Sequence, residues 1–149
     1  MVLIGGLTLT ARTVTTDRER LLSLQDTLVG AVAEADINTI DGILSPGATV
    51  PPVNLSPISG GLTRDQILTT VAATTGGAYR VSEYAILERQ ATIDGANAAR
   101  TQIHLRVESE IGGPTLTWFR IACRLDPDRG WEAIEIEPLF ISGVMPYKG

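Results

Sequence analysis

The sequence predicts an α+β domain with helices in its first half and a long antiparallel sheet in its second half. Two observations carry this prediction. Apolar residues recur at helical spacing before Gly76, and after Gly77 apolar and polar residues alternate with a period of two. The chain of 149 residues, 44% hydrophobic and 19% charged, has the size and composition of one globular domain, which we assign to residues 16–149.

The first and longest predicted helix spans about residues 17–35. Thr16 and Glu19 have the spacing of a capping box, in which each side chain bonds the backbone of the other residue. Apolar residues then follow on one face of this helix: Leu21, Leu24, Leu28, Val32 and Ala35.

Two shorter helices are predicted after it. Asp36 can cap the second helix, which a Pro-Gly pair ends. The buried side of that helix is expected to be Ile37, Ile40, Ile43 and Leu44. A second capping box at Thr63 begins the third helix, which a Gly-Gly pair ends. The proline-rich residues 46–61 predict an irregular segment with one short strand around residues 48–53.

Four long strands are predicted at about residues 79–93, 96–111, 115–125 and 131–141. The breaks between them consist of turn-forming residues: an Asp-Gly pair, a Gly-Gly-Pro run and a run from Asp126 to Gly130. Short breaks of this kind predict antiparallel hairpins.

The register of the second hairpin follows from the apolar pattern, because directly opposed residues of an antiparallel pair share a face. A three-residue loop pairs Ile103 with Cys123 and Leu105 with Ile121, whereas a two-residue loop would oppose apolar to polar side chains. We therefore predict a three-residue loop.

The third hairpin is predicted to have a four-residue loop. This loop pairs Cys123 with Ile134 on the core face. It also pairs Arg120 with Glu137 on the other face, as an ion pair. The last three strands thus agree on one core face.

The first hairpin allows two registers. A two-residue turn at Asp94-Gly95 turns Tyr84 toward the core, and a three-residue loop turns Glu83 toward it instead. A β-bulge in the long first strand could combine the two registers. The inward polar group is therefore either Tyr84 or Glu83.

Charge and composition exclude several classes of function. The net charge of −5 and the pI of about 4.8 provide no basic surface for nucleic acid. Cys123 and His104 are the only cysteine and histidine, so neither an internal disulfide nor a His/Cys metal site is expected. Without a phosphate loop or nucleophile elbow in the sequence, we expect no cofactor.

Residues 1–15 form an apolar N-terminal segment. The apolar stretch is too short to span a bilayer and lacks the basic start of a signal peptide. It could be a strand that pairs elsewhere, including a swapped strand, a disordered end, or the last turns of a transmembrane helix that begins before Met1. The abrupt change to polar sequence at Arg12 slightly favours this truncated membrane anchor. A cytoplasmic protein and a membrane-anchored soluble domain both fit.

The order of elements resembles the NTF2-like superfamily, which includes nuclear transport factor 2, ketosteroid isomerases and SnoaL-like domains. The residues that carry the resemblance are the run 21–46, the helix 64–75 and the strands that end at Ile141. The resemblance covers residues 16–141 and is one of architecture. It implies a sheet curled around the long helix into a cone with an apolar pocket, and a dimer through the opposite face of the sheet. The polar run after the apolar start also looks like membrane-anchored bacterial members.

The resemblance carries no catalytic residue to this chain. Ketosteroid isomerases use an aspartate base with a tyrosine and a second acid, and no set of residues here aligns with them. Fold alone does not imply function. The weak catalytic candidates are Glu83 or Tyr84, as an inward polar group, and His104, which the predicted register places on the polar face opposite Ala122.

Two further sets of residues complete the predicted site. The pocket is expected to contain Tyr84, Ile103, Leu105, Phe119, Ile121 and Ile136. The dimer interface is expected to contain Arg106, Trp118, Arg120, Arg124, Trp131, Glu135 and Glu137, since tryptophan and arginine are enriched in interfaces.

These observations lead to two hypotheses of function. The first is a non-catalytic, homodimeric NTF2-like module that binds a partner or a small apolar ligand. The second is an isomerase-, dehydratase- or cyclase-type enzyme acting on a hydrophobic substrate in the cone. The lack of an acid/base constellation favours the first.

Overall fold

The computed structural model describes residues 16–52, 61–110 and 113–141. Three helices precede or interrupt a curved, open sheet of six strands. In chain order the strands are β1 (Leu44–Val50), β2 (Leu62–Thr63), β3 (Val81–Ile93), β4 (Ala98–Ser109), β5 (Gly113–Asp126) and β6 (Gly130–Ile141). In the sheet they lie in the order β2-β1-β6-β5-β4-β3. The predicted α+β class is confirmed. The sheet is mixed rather than purely antiparallel, because its first strand runs parallel to its last.

Helix α1, Asp17–Glu34, begins where the sequence predicts it, with the Thr16 half of the predicted capping box. The Thr16 hydroxyl accepts a hydrogen bond from the Glu19 backbone N–H at 3.2 Å. Ala35 closes the helix with a positive φ of 55°, the left-handed conformation that ends many helices. The helix packs against one face of the sheet, which we call the inner face; the opposite face is the outer face.

Helix α2, Ile37–Ile43, is shorter than predicted. Asp36 caps it by accepting from the Thr39 backbone N–H, as expected. The chain then enters strand β1, Leu44–Val50, which pairs with β6. Pro46 and Gly47 lie exposed inside β1 and do not end the helix, so that prediction is wrong. Proline is tolerated there because the β1–β6 register is interrupted between Leu44 and Thr49, where no ladder hydrogen bond is required of it.

Helix α3, Arg64–Ala73, follows the two-residue strand β2, Leu62–Thr63. Both halves of the predicted capping box between Thr63 and Gln66 are present. A wider π-helical turn, Thr74–Ala78, leads from the helix into the sheet.

The long strands are β3 (Val81–Ile93), β4 (Ala98–Ser109), β5 (Gly113–Asp126) and β6 (Gly130–Ile141). Each is antiparallel to its neighbour. The apolar side chains of their inner face form the core with α1: Leu21, Leu28, Ala91, Ala99, Ile121, Cys123 and Ala133. Hydrophobic burial between this face and the helix therefore holds the domain together.

The second hairpin confirms the predicted faces and corrects the predicted pairs. Ile103 pairs with Phe119 rather than with Cys123, and Leu105 pairs with Thr117 rather than with Ile121. Three residues do separate β4 from β5, but they are residues 110–112. Gly113 and Pro114, which we predicted to be in the turn, belong to the strand. A shift of the turn by two residues keeps every side chain on its face.

A β-bulge divides the third hairpin. Arg120 pairs with Glu137 as predicted, with a side-chain hydrogen bond of 3.0 Å. Cys123, however, pairs with Ala133, because the register shifts by one residue at Ile134. The predicted Cys123–Ile134 pair is therefore wrong, and the loop has three residues rather than four.

The first hairpin adopts neither of the two registers considered. Four residues, 94–97, separate the strands, and register shifts at Ser82 and Leu87 mark two bulges in β3. A bulge of this kind was one of the alternatives. Its effect is that Tyr84 pairs with Val107 on the inner face, and Glu83 lies on the outer face.

The prediction for residues 1–15 lies outside the described residues. In the parts of the chain that the structure describes, no helix is long and apolar enough to cross a membrane.

Candidate functional site

The inner face carries all six predicted pocket residues. Ile103, Leu105 and Ile121 are buried, whereas Phe119 and Ile136 are partly buried. Tyr84 is 39% exposed. Its hydroxyl oxygen lies 3.3 Å from the position that a β-carbon on Gly30 would occupy, so the glycine of α1 leaves room for the phenol.

An ion pair joins α1 to the inner face. The Leu87 bulge turns Arg89 toward the helix, where its guanidinium donates to the Asp26 carboxylate. Both side chains are more than a third exposed, so solvent screens the pair. The Asp26 carboxylate therefore already has a cationic partner within the chain.

Three buried polar side chains on or facing the inner face were not predicted. Gln25 is fully buried, and Thr101 and Thr117 are nearly so. Both amide atoms of Gln25 and both threonine hydroxyls have no hydrogen-bond partner within residues 16–52, 61–110 and 113–141. Gln25 lies between Leu21 and Leu28 on the apolar face of α1. A polar residue at this position of the apolar pattern was the sequence signal that could have identified it as a buried polar group.

The outer face is organised around an aromatic stack. The rings of His104 and Trp118, opposed across β4 and β5, lie 4.1 Å apart at an angle of 9°. His104 therefore faces Trp118, and the predicted Ala122 opposite it is wrong. A hollow of about 400 Å³ beside Trp118 is lined by Glu88, Gln90 and Gln102, together with Arg89.

Ion pairs surround this stack. Arg106 pairs with Glu108 at 2.7 Å and Arg120 with Glu137 at 3.0 Å. Arg124 and Arg129 both pair with the carboxylate of Glu132, whose side chain is 3% exposed. The predicted outer-face residues Arg106, Trp118, Arg120, Arg124, Glu135 and Glu137 all lie on this face by register.

Trp131 is the exception among the predicted interface residues. The bulge at Ile134 reverses the faces of the residues before it, so Trp131 turns to the inner face, opposite Leu125. Its indole N–H donates to Asp17 at the start of α1. Glu132 takes the outward position instead.

The catalytic candidates do not converge. Glu83 is exposed on the outer face opposite Glu108, Tyr84 lies on the inner face, and His104 is on the outer face. Within the described ranges, no group of three His, Cys, Asp or Glu side chains could hold a metal ion. Cys123 is buried in the core, and this burial raises the pKa of its thiol to about 12, so it is a poor nucleophile.

The same architecture occurs in solved structures. An NTF2-like protein from Cytophaga hutchinsonii matches with a TM-score of 0.68 at 12% identity, over 83% of this chain and 98% of that one. An NTF2-like protein of unknown function in nutrient uptake from Rhodospirillum rubrum matches with a TM-score of 0.64 at 11% identity, over 79% and 95%. The chain has an NTF2-like fold.

A third similar structure is that of a ketosteroid isomerase-like protein from Erwinia carotovora atroseptica, with a TM-score of 0.58 at 12% identity, over 79% of this chain and 92% of that one. No family model and no curated protein matches the sequence. At these identities the similarity establishes the NTF2-like fold, and the function must be argued from the residues.

Proposed function

We propose that this NTF2-like domain is a non-catalytic interaction module that forms a homodimer through the outer face of its sheet. The observation that carries the proposal is the composition of that face. Trp118 and His104 stack at its centre, and Leu116 beside them is 39% exposed. Arginine–carboxylate pairs surround this centre. An apolar, aromatic centre with a charged rim is the usual anatomy of a protein interface.

The inner face supports a binding role more than a catalytic one. An isomerase-, dehydratase- or cyclase-type reaction needs a free acid or base beside the substrate. The carboxylate that α1 presents to β3 belongs to Asp26 and is paired with Arg89. Tyr84 also lies on the inner face of β3, where its hydroxyl can donate and accept hydrogen bonds to a polar group of a ligand.

A small ligand in the cone is a second candidate function. The unpartnered amide of Gln25 and hydroxyls of Thr101 and Thr117 favour it, because buried polar groups normally have a protein, water or ligand partner. A ligand would then raise the melting temperature by mass action, which thermal-shift screening of small apolar compounds with a polar group measures.

Analytical ultracentrifugation tests the dimer. We expect dimers at tens of micromolar, and we expect Trp118→Ala to weaken association because it removes the central ring. Tyr84→Phe, on the inner face, is the matched control and should leave association unchanged. A wild-type protein that sediments as a monomer throughout this range contradicts the proposal.

A further inference from the structure

The hollow beside Trp118 combines a free anion with an aromatic ring. Among the described residues, the Glu88 carboxylate forms no ion pair, although the outer-face arginines all have carboxylate partners. Trp118, Gln90 and Gln102 line the same hollow. Arg89 lines it too, but its guanidinium is bound to Asp26. A carboxylate, an aromatic ring and amide acceptors together recognise a flat cation with several N–H donors, which is a guanidinium.

The register places an arginine guanidinium on a level of the outer face next to this hollow. Glu88, His104 and Trp118 lie on one level across β3, β4 and β5. Arg106 and Leu116 lie together on the next level of the same face, two residues along each strand. In a symmetric dimer, the two-fold axis can run perpendicular to the strands, between these two rows of residues. The row with Glu88, His104 and Trp118 in one copy then faces the row with Arg106 and Leu116 in the other.

We propose that Arg106 of a second copy inserts its guanidinium into this hollow, bonds the Glu88 carboxylate and stacks on Trp118. The inference rests on the proposed dimer and names its central contact. The same axis brings the exposed Leu116 of each copy against the partly buried Trp118 of the other. The contact is reciprocal, so each dimer contains it twice.

Arg106 is held in its own subunit by a partly exposed ion pair. Its partner Glu108 lies two residues along the same strand, and both side chains are substantially exposed, so that pair is weak. Arg124, by contrast, is bound to the nearly fully buried carboxylate of Glu132. If Arg124 moved away, Arg129 would be the remaining partner of the Glu132 carboxylate. Arg120 is tied across strands to Glu137.

Charge exchange tests the contact by sedimentation equilibrium. Glu88→Arg and Arg106→Glu should each weaken the dimer at least about tenfold, since each leaves one charge of a desolvated pair facing a like charge. The double variant Glu88→Arg/Arg106→Glu should return the dissociation constant to within about threefold of wild type, because it restores the pair with reversed polarity. Glu88→Arg combined with Arg120→Glu is the matched control and should not restore it.

The outcomes separate this proposal from the broader one. A wild-type dimer that Glu88→Arg leaves intact, or a double variant no tighter than the single variants, overturns the Arg106 contact and leaves the outer-face dimer standing. A wild-type monomer overturns both. Circular dichroism and thermal melting check that each variant folds. If Glu88→Arg does not fold, the neutral variant Glu88→Gln replaces it, and the proposal still requires that this variant dimerise more weakly than wild type.

Discussion

Replacing Gln25 by methionine should stabilise the protein. Gln25 is fully buried, and its amide nitrogen and oxygen have no hydrogen-bond partner in the described part of the chain. A buried polar group left unsatisfied costs about 1–3 kcal/mol, and methionine has nearly the same shape, length and helix propensity without that cost. We therefore expect Gln25→Met to raise the free energy of unfolding by about 1–3 kcal/mol. For a chain of this size, that is a rise in melting temperature of about 2–4 °C per kcal/mol.

Gln25→Glu is the matched control, because it keeps the shape and adds a charge. A carboxyl group with an ordinary pKa of about 4.3 must be held protonated in this site at pH 7, which costs up to about 4 kcal/mol. Burial raises the folded-state pKa of such a group. Its penalty is therefore absent below the unfolded pKa of about 4.3 and grows as the pH rises above it. Urea denaturation at about pH 4 and pH 7 measures both variants. A loss of more than about 1 kcal/mol in Gln25→Met would refute the reasoning, since it would mean that the amide already has a partner.

Two further perturbations test the core and the contact between α1 and Tyr84. Because burial raises the Cys123 pKa to about 12, the stability that the neutral thiol contributes is fully present below its unfolded pKa of about 8.5 and is lost as the pH rises toward the folded value. Thiol labelling at about pH 8 should accordingly be limited by unfolding, and labelling at the rate of a free thiol would contradict this. Gly30→Ala should stabilise α1 by up to about 1 kcal/mol in a Tyr84→Phe background and by less with the tyrosine present, because the new methyl group would lie 3.3 Å from the phenol oxygen. Urea denaturation measures the change in the free energy of unfolding. If Gly30→Ala changes it equally with Tyr84 and with Phe at position 84, the alanine methyl group does not contact the tyrosine hydroxyl.

The helices and the faces of the strands could be predicted because local interactions determine them. Thr16, Asp36 and Thr63 each cap a helix where the sequence indicated it. Alternation of apolar and polar residues set the inner and outer faces of β4 and β5, and an error of two residues in the turn did not change them.

What the sequence did not reveal depends on contacts between distant segments and on bulges. The pairing of β1 with β6 joins residues more than eighty positions apart. No local sequence pattern predicts which distant strand will pair with β1 in parallel. The bulge at Ile134 moved Trp131 to the inner face, and the bulge at Leu87 turned Arg89 toward Asp26. A bulge inserts one residue without a signature in the apolar pattern, so alternation alone assigns the wrong face beyond it.

The candidate site shows the same division. The outer-face set could be predicted from alternation, except for Trp131. Glu88 was missed because it lies on β3, whose register the sequence left open. Gln25 was missed because a single polar residue on the apolar face of a helix is usually a tolerated exception. Its complete burial without a hydrogen-bond partner, which identifies it as a candidate binding group, is visible only in the structure.

Fluorescence quenching of Trp118 tests the outer-face dimer most directly. In a Trp131→Phe background the emission comes from Trp118 alone, since the chain has two tryptophans. We expect acrylamide to quench this emission strongly in dilute monomer and weakly once the protein dimerises, between about 1 and 100 µM, with the midpoint at the dissociation constant found by sedimentation. Quenching that stays constant across a range in which the same protein sediments as a dimer would show that the two copies meet through another surface.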